Sequence, residues 1–401
     1  MKLEFFKFNR PSRSAQAEEK VWFNSPGLDP EKRSGLTLWF NSIHYMQNRH
    51  YILISLVLPL LVFQSCTEIM CVMTGYSPGE IKDNCDTPEP GTKLDPRCKL
   101  ILEHADVYDV NPDSAIDANS RYLELIKSSV REVEDIYIPV DSAQILIRMY
   151  CNVPERKRDK LPVLIYYHGG GFIWGSVDIF DTYCRKLARE TKALVISVDY
   201  RLAPEYKYPV AVKDSYAVVK WANRHISKYG GDPEQLIVMG ESAGGNLAAV
   251  MPLVSRDSCG PTIRAQIIVC GATTFEEQLV FPSRTYFLTE GQNYLVSEDY
   301  LNRCKAAYLP DGADVSHPYI SPLQARLDED MPEALVITAQ VDPLRDEGKE
   351  YARKLRDAGI EVHYREYKGM IHAFMNFYPF LDSAREAIDE VDRFIDRLGE
   401  E

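Results

Sequence analysis

"QLIVMGESAGGNLAA", residues Gln235–Ala249, reads as a strand that turns at once into a helix. Leu236–Met239 is a run of large aliphatic residues of the kind that fills a buried parallel strand, and the stretch from Asn246 opens an alanine-rich helix. Only Gly240-Glu241-Ser242-Ala243-Gly244-Gly245 lies between them, too little for a loop. A tight strand-to-helix turn holds its serine strained and exposed, and small residues on either side let the strand and helix approach. The five-residue pattern Gly240–Gly244 recurs by chance; its strand-turn-helix setting makes Ser242 a candidate nucleophile and points to an α/β fold.

The surrounding chain repeats the alternation. "VEDIYIPV", "AQILIRMYC", "PVLIYYH", "ALVISVDY", "QLIVMG", "AQIIVCG", "ALVITAQVD" and "EVHYREYKG" imply eight strands from Val133 onward, and amphipathic stretches such as "DTYCRKLARETK" and "GKEYARKLRDAG" separate the later ones. Only "DS" parts the first two, which predicts a hairpin; the rest predict a mostly parallel sheet flanked by helices on both faces. Right-handed crossovers gather the ends of the parallel strands on one rim, where chemistry is expected. Residues 276–330, including "FLTEGQNYLVSEDYLNRCKAAYLPD", are far longer than an ordinary strand-to-helix link and are expected to form a helical cap insertion over that rim.

A serine hydroxyl is a poor nucleophile at neutral pH and needs a base, which in turn needs an anion to hold its tautomer. Of eight histidines, His44 and His50 precede the strands, and His104, His225, His317 and His363 fall in a cap region, a helix, the insertion and a strand. His372, in "KGMIHAF", follows the last strand and is the candidate base. Asp342, in "AQVDPLRDEG", ends the preceding strand and is the candidate anion; Asp346 and Glu347 are expected to cap the helix that begins there. The chain order Ser242, Asp342, His372 is that of α/β-hydrolases. Attack on an ester carbonyl creates an oxyanion, for which preorganised donors contribute roughly 3 to 4 kcal/mol each. Ala243 N–H is one candidate donor, and "HGGG" supplies Gly170 and Gly171, with His168 expected to brace the loop.

These segments together resemble the hormone-sensitive lipase branch of the α/β-hydrolase fold esterases. The likeness runs from about Val133 to Leu398 and rests on "HGGGF", "DYRLAPEYKYP", "GGDPEQLIVMGESAGGNLAA", "DPLRDEG" and "GMIHAF". It implies a triad of Ser242, Asp342 and His372 and an oxyanion hole of Gly170, Gly171 and Ala243. "YRLAPE" is expected to be scaffolding rather than an acid-base pair of Arg201 and Glu205. Phe172 and Trp174 are read either as acyl-pocket lining or as ordinary packing.

The expected activity is a serine carboxylesterase that hydrolyses short to medium acyl esters through an acyl-enzyme, with a small-molecule ester as partner and no cofactor. A deacetylase of carbohydrates or xenobiotics, or an amide hydrolase, uses the same machinery. A non-catalytic ligand-binding homologue is expected to lack part of the triad, and all three residues are present.

Composition bounds the remainder. The 401-residue chain is 45% hydrophobic and 26% charged, as folded globular proteins are, and a net charge of −13 argues against nucleic acid. Nine cysteines without paired short spacing argue against a zinc site; Cys85 and Cys98 are read either as a bridge, if the protein is exported, or as ordinary free thiols. Residues 1–76 form an N-terminal extension, followed by a linker and cap helices over 77–132, one of them around Pro112–Ser129, and a catalytic domain over 133–401. Within the extension, residues 51–66 combine about 13 apolar residues with a positive flank, shorter than the ~20 needed to span a bilayer and suited to a signal peptide. "VFQSC" resembles a lipoprotein cleavage site at Cys66, with Phe63 and Gln64 departing from the usual pattern; the reading works best for a start at Met46. Export, a membrane-surface anchor and a buried cap helix all stay open.

Overall fold

The computed structural model describes residues 93–103, 129–141, 143–289 and 295–400. The signal-like segment at 51–66, Cys66, Cys71 and Cys85 lie outside them, as does residue range 104–128, which holds nearly all of the helix expected before the first strand. Among the described residues no helix is long and apolar enough to cross a membrane.

Eight strands form one sheet: β1 (Glu132–Val140), β2 (Ala143–Cys151), β3 (Leu161–Tyr167), β4 (Leu194–Val198), β5 (Gly231–Glu241), β6 (Ala265–Val269), β7 (Glu333–Val341) and β8 (Val362–Ile371), in the order β1-β2-β4-β3-β5-β6-β7-β8. The β1–β2 and β2–β4 pairs are antiparallel and the other pairs parallel. The central strands carry apolar side chains on both faces because both faces are covered. Val163, Ile165 and Tyr167 of β3 enter one core, whereas Leu164 and Tyr166 enter the other, as the two-residue period of a strand requires.

The first core is closed by α3 (Val210–His225), α4 (Ala243–Asp257) and α7 (Arg345–Asp357), and the second by α2 (Asp181–Glu190) and α8 (Asp382–Leu398). In α8 the buried Ala384, Ala387, Ile388, Val391, Phe394, Ile395 and Leu398 recur at the three- and four-residue spacing of one helix face. The short α1 (Pro96–Glu103) docks beside the end of β8, where the Asp95 N–H donates to the Gly369 carbonyl at 3.0 Å. Cys98 there is a fully buried free thiol, its sulfur 3.9 Å from Met370 Sδ, which agrees with the free-thiol alternative; Cys85 lies outside the described residues. Between β6 and β7 the chain forms α5 (Pro282–Thr289) and α6 (Glu298–Tyr308).

Register brings the strand ends together. Tyr167 pairs with Gly240, Glu241 with Val269 and Val341 with Ile371. The HGGG loop, Ser242, the stretch after Val269, Asp342 and His372 therefore emerge on one rim.

Candidate active site

Ser242 has φ 56° and ψ −118°, a conformation that costs a non-glycine residue about 1–3 kcal/mol. Its surroundings fix it there. The Ser242 N–H donates to the Val269 carbonyl at 3.0 Å, and the Ser242 carbonyl accepts from Asn246 and Ala272 N–H groups, each at 3.1 Å. The Asn246 side chain also donates to the Ala272 and Ile320 carbonyls at 2.7 and 2.8 Å, tying the first turn of α4 to the segment before β7. A Cβ at Gly244 would lie 1.9 Å from the Tyr167 carbonyl oxygen, so the elbow needs glycine for close approach of helix and strand.

His372 directly follows β8 and Asp342 directly follows β7. The His372 Nδ1–H donates to Asp342 Oδ2 at 2.8 Å, which leaves Nε2 free to take a proton, while the Leu344 N–H donates to Asp342 Oδ1 at 2.8 Å. Both side chains are buried. Burial by itself would depress the imidazole pKa, but the Asp342 charge and hydrogen bond, with Glu241 and Glu347 behind them, outweigh it and hold His372 above its usual value. Cys270 completes a group with these two in which one donor atom from each lies within 4.8 Å of the others; all three are buried, and His372 Nδ1 and Asp342 Oδ2 are committed to one another.

The HGGG loop follows β3. Gly170 and Gly171 adopt φ 110° and 63°, which favour glycine, and a Cβ at Gly170 would lie 2.1 Å from the Trp174 carbonyl. The Gly170 carbonyl closes the loop by accepting from Ile173 and Trp174, whereas neither the Gly170 nor the Gly171 N–H has an acceptor among the described residues. His168 braces this loop: it is fully buried, its Nδ1–H donates to the Gly169 carbonyl at 2.8 Å, and its ring stacks between Phe180 and Tyr200. Burial pushes its pKa down to about 4, so it stays neutral.

Ser242, Ala243, Gly171 and Phe172 face a cavity of about 650 Å³ whose opposite wall comes from the insertion between β6 and β7, including Leu288, Leu301 and Cys304. Helix α6 sits directly on the loop, since a Cβ at Gly171 would lie 2.1 Å from Cys304 Sγ. Phe172 is buried beneath the cavity and stacks on Tyr308 with ring centroids 3.8 Å apart. A model of the alpha/beta hydrolase fold matches residues 164–376.

This chain is an α/β-hydrolase. Its relatives belong to the hormone-sensitive lipase-like branch, and the chain is a carboxylic ester hydrolase by class. One relative is carboxylesterase NlhH of Mycobacterium tuberculosis, 35% identical over 73% of this chain and 92% of that protein. Another is an arylesterase of Saccharolobus solfataricus, 32% identical over 70% of this chain and 92% of its own length. Among solved structures, an esterase of Pyrobaculum calidifontis superposes with a TM-score of 0.71 at 36% identity, covering 76% of this chain and 99% of that one.

Of the other sequence-predicted residues of this α/β-hydrolase, Asp346 and Glu347 sit differently from expectation. Asp346 and Glu347 lie in the first turn of α7, but they cap nothing there. Asp346 accepts from the Ser283 N–H of α5 at 2.7 Å, and Glu347 from the Thr273 N–H at 2.8 Å, so both tie α7 to the insertion and its entry. Arg201 pairs with Asp214 through two hydrogen bonds of 2.8 and 2.7 Å, while Glu205 is exposed, as scaffolding requires. Phe172 lines the cavity and Trp174 does not. Sequence reasoning passed over Glu241 and Asn376, joined at 2.6 Å. The pattern that singles out Ser242 contains Glu241, but nothing local announces its partner 135 residues away.

Proposed function

We propose that Ser242, His372 and Asp342 act as the triad of a serine carboxylesterase that hydrolyses short to medium acyl esters. His372 Nε2 takes the proton as Ser242 Oγ attacks the carbonyl, and Asp342 stabilises the imidazolium that forms. The oxyanion is held by the N–H groups of Gly170, Gly171 and Ala243. Collapse of the tetrahedral adduct expels the alcohol, which takes the proton back from His372; water then repeats the cycle on the acyl-enzyme.

The observation that carries this reading is the strained Ser242 at the base of the cavity, with Ala243 and Gly171 beside it. Strain retained at a cavity floor is a feature of functional sites, and about 650 Å³ suits a small ester. The relatives named as esterases support the same chemistry. On p-nitrophenyl butyrate, Ser242→Ala should lower kcat by about 10⁴-fold or more. A variant that turns over at the unmodified rate rejects the assignment.

A further inference from the structure

Glu241 stands immediately before the candidate nucleophile at the end of β5 and is almost wholly buried. Its Oε1 accepts from Asn376 Nδ2 at 2.6 Å. Asn376 belongs to the short turn Phe374–Phe377 that follows His372, and it closes that turn through its own N–H and side-chain amide, both donating to the Ala373 carbonyl at 3.2 and 3.3 Å. Ala373 itself is held at φ 56°. On the other side, a Cβ at Gly169 would lie 3.2 Å from the Glu241 carbonyl oxygen and 3.5 Å from Oε1, so the same residue lies against the HGGG loop.

We propose that Glu241 is a positioning residue for His372: its buried carboxylate ties the histidine loop and the oxyanion loop to the nucleophile elbow and adds a second negative charge facing the imidazolium. The inference rests on the triad reading above. Among the described residues no lysine or arginine pairs with Glu241, and its Oε2 has no hydrogen-bond partner. A buried carboxylate so poorly compensated is costly, and an apolar residue of similar size would pack there at less expense. What the site gains is electrostatic. The charge of Asp342 and then that of Glu241 raise His372, and His372 acts back on Glu241, whose carboxyl burial still holds up at about 7. The other titratable groups facing Glu241 are Asp342, Tyr166 of β3, Tyr183 of α2 and Cys270 after β6; burial raises all three of the latter, so they stay uncharged.

The test is the pH dependence of kcat/KM for p-nitrophenyl butyrate, whose acid limb reports the free enzyme's essential base. Glu241→Gln keeps an acceptor for Asn376 and removes the charge. It should lower kcat roughly tenfold with little change in KM and move the acid limb down by about half a unit or more, because the imidazolium loses a stabilising neighbour. Asn376→Ala, at a half-buried position, removes the donor to Glu241 Oε1, weakens the Glu241 anion and should move the limb the same way by less. A lower kcat with an unmoved acid limb in both variants, or an unaltered profile in the one that folds, overturns the proposal. Organophosphate labelling separates the two readings: with Ser242 labelled, an unmoved limb overturns the role of Glu241 alone, whereas an unmodified enzyme that is not labelled overturns both.

Discussion

At Asp342 two donors meet one buried carboxylate, the Leu344 N–H on Oδ1 and the His372 Nδ1–H on Oδ2. On the triad proposed above, that arrangement sets the pH range of the enzyme. A base must be neutral to accept the serine proton, and anionic neighbours make His372 hold its own proton to higher pH than a free imidazole. Activity should therefore be lost as pH falls through a midpoint above the ordinary imidazole value of about 6.5, and the acid limb of kcat/KM measured from pH 5 to 9 checks it. A midpoint below that value would mean that burial, not Asp342, dominates. The residue types of this site were legible in the sequence because serine, histidine and aspartate each followed a strand. Glu241 was not, because its meaning lies in Asn376 and His372, which reach it only through space.

Among the elements, β4 and α3 are joined by the "YRLAPE" stretch, which Asp214 of α3 holds from beneath. It accepts the Arg201 N–H at 3.1 Å and grips the guanidinium with both oxygens. Asp214 is fully buried and the Arg201 side chain 16% exposed, so truncating the acid leaves a largely desolvated cation unpaired. Asp214→Ala should lower stability by about 3 kcal/mol, near the low end for buried pairs because Arg201 keeps some contact with water; the urea midpoint measures it. The helix α7 shows how an element acquires a second task. Its first-turn carboxylates are placed where the macrodipole favours them, yet they serve Ser283 and Thr273. Fixing the insertion through α7 couples the wall of the cavity to the strand end that carries Asp342.

Across the whole molecule the cavity exists only where the insertion between β6 and β7 faces the strand rim. Leu301 lines it from α6, and Leu301→Trp should fill part of its roughly 650 Å³. p-Nitrophenyl octanoate should then lose kcat/KM by about tenfold more than the acetate does, since each excluded methylene is worth about 1–3 kcal/mol; equal losses across the ester series would place Leu301 away from the acyl chain. By itself the sequence determined the eight strands, their alternation with helices and the four loops that end on the rim. Those are periodic or contiguous signals, and apolar strands buried on both faces declare themselves within a few residues. The tertiary structure alone decided that α6 rests on Gly171, that Glu347 serves Thr273, and that Glu241 joins the elbow to the histidine loop. Each of these pairings depends on which surfaces the folded sheet brings within hydrogen-bond or van der Waals distance, a property that no local stretch of chain encodes.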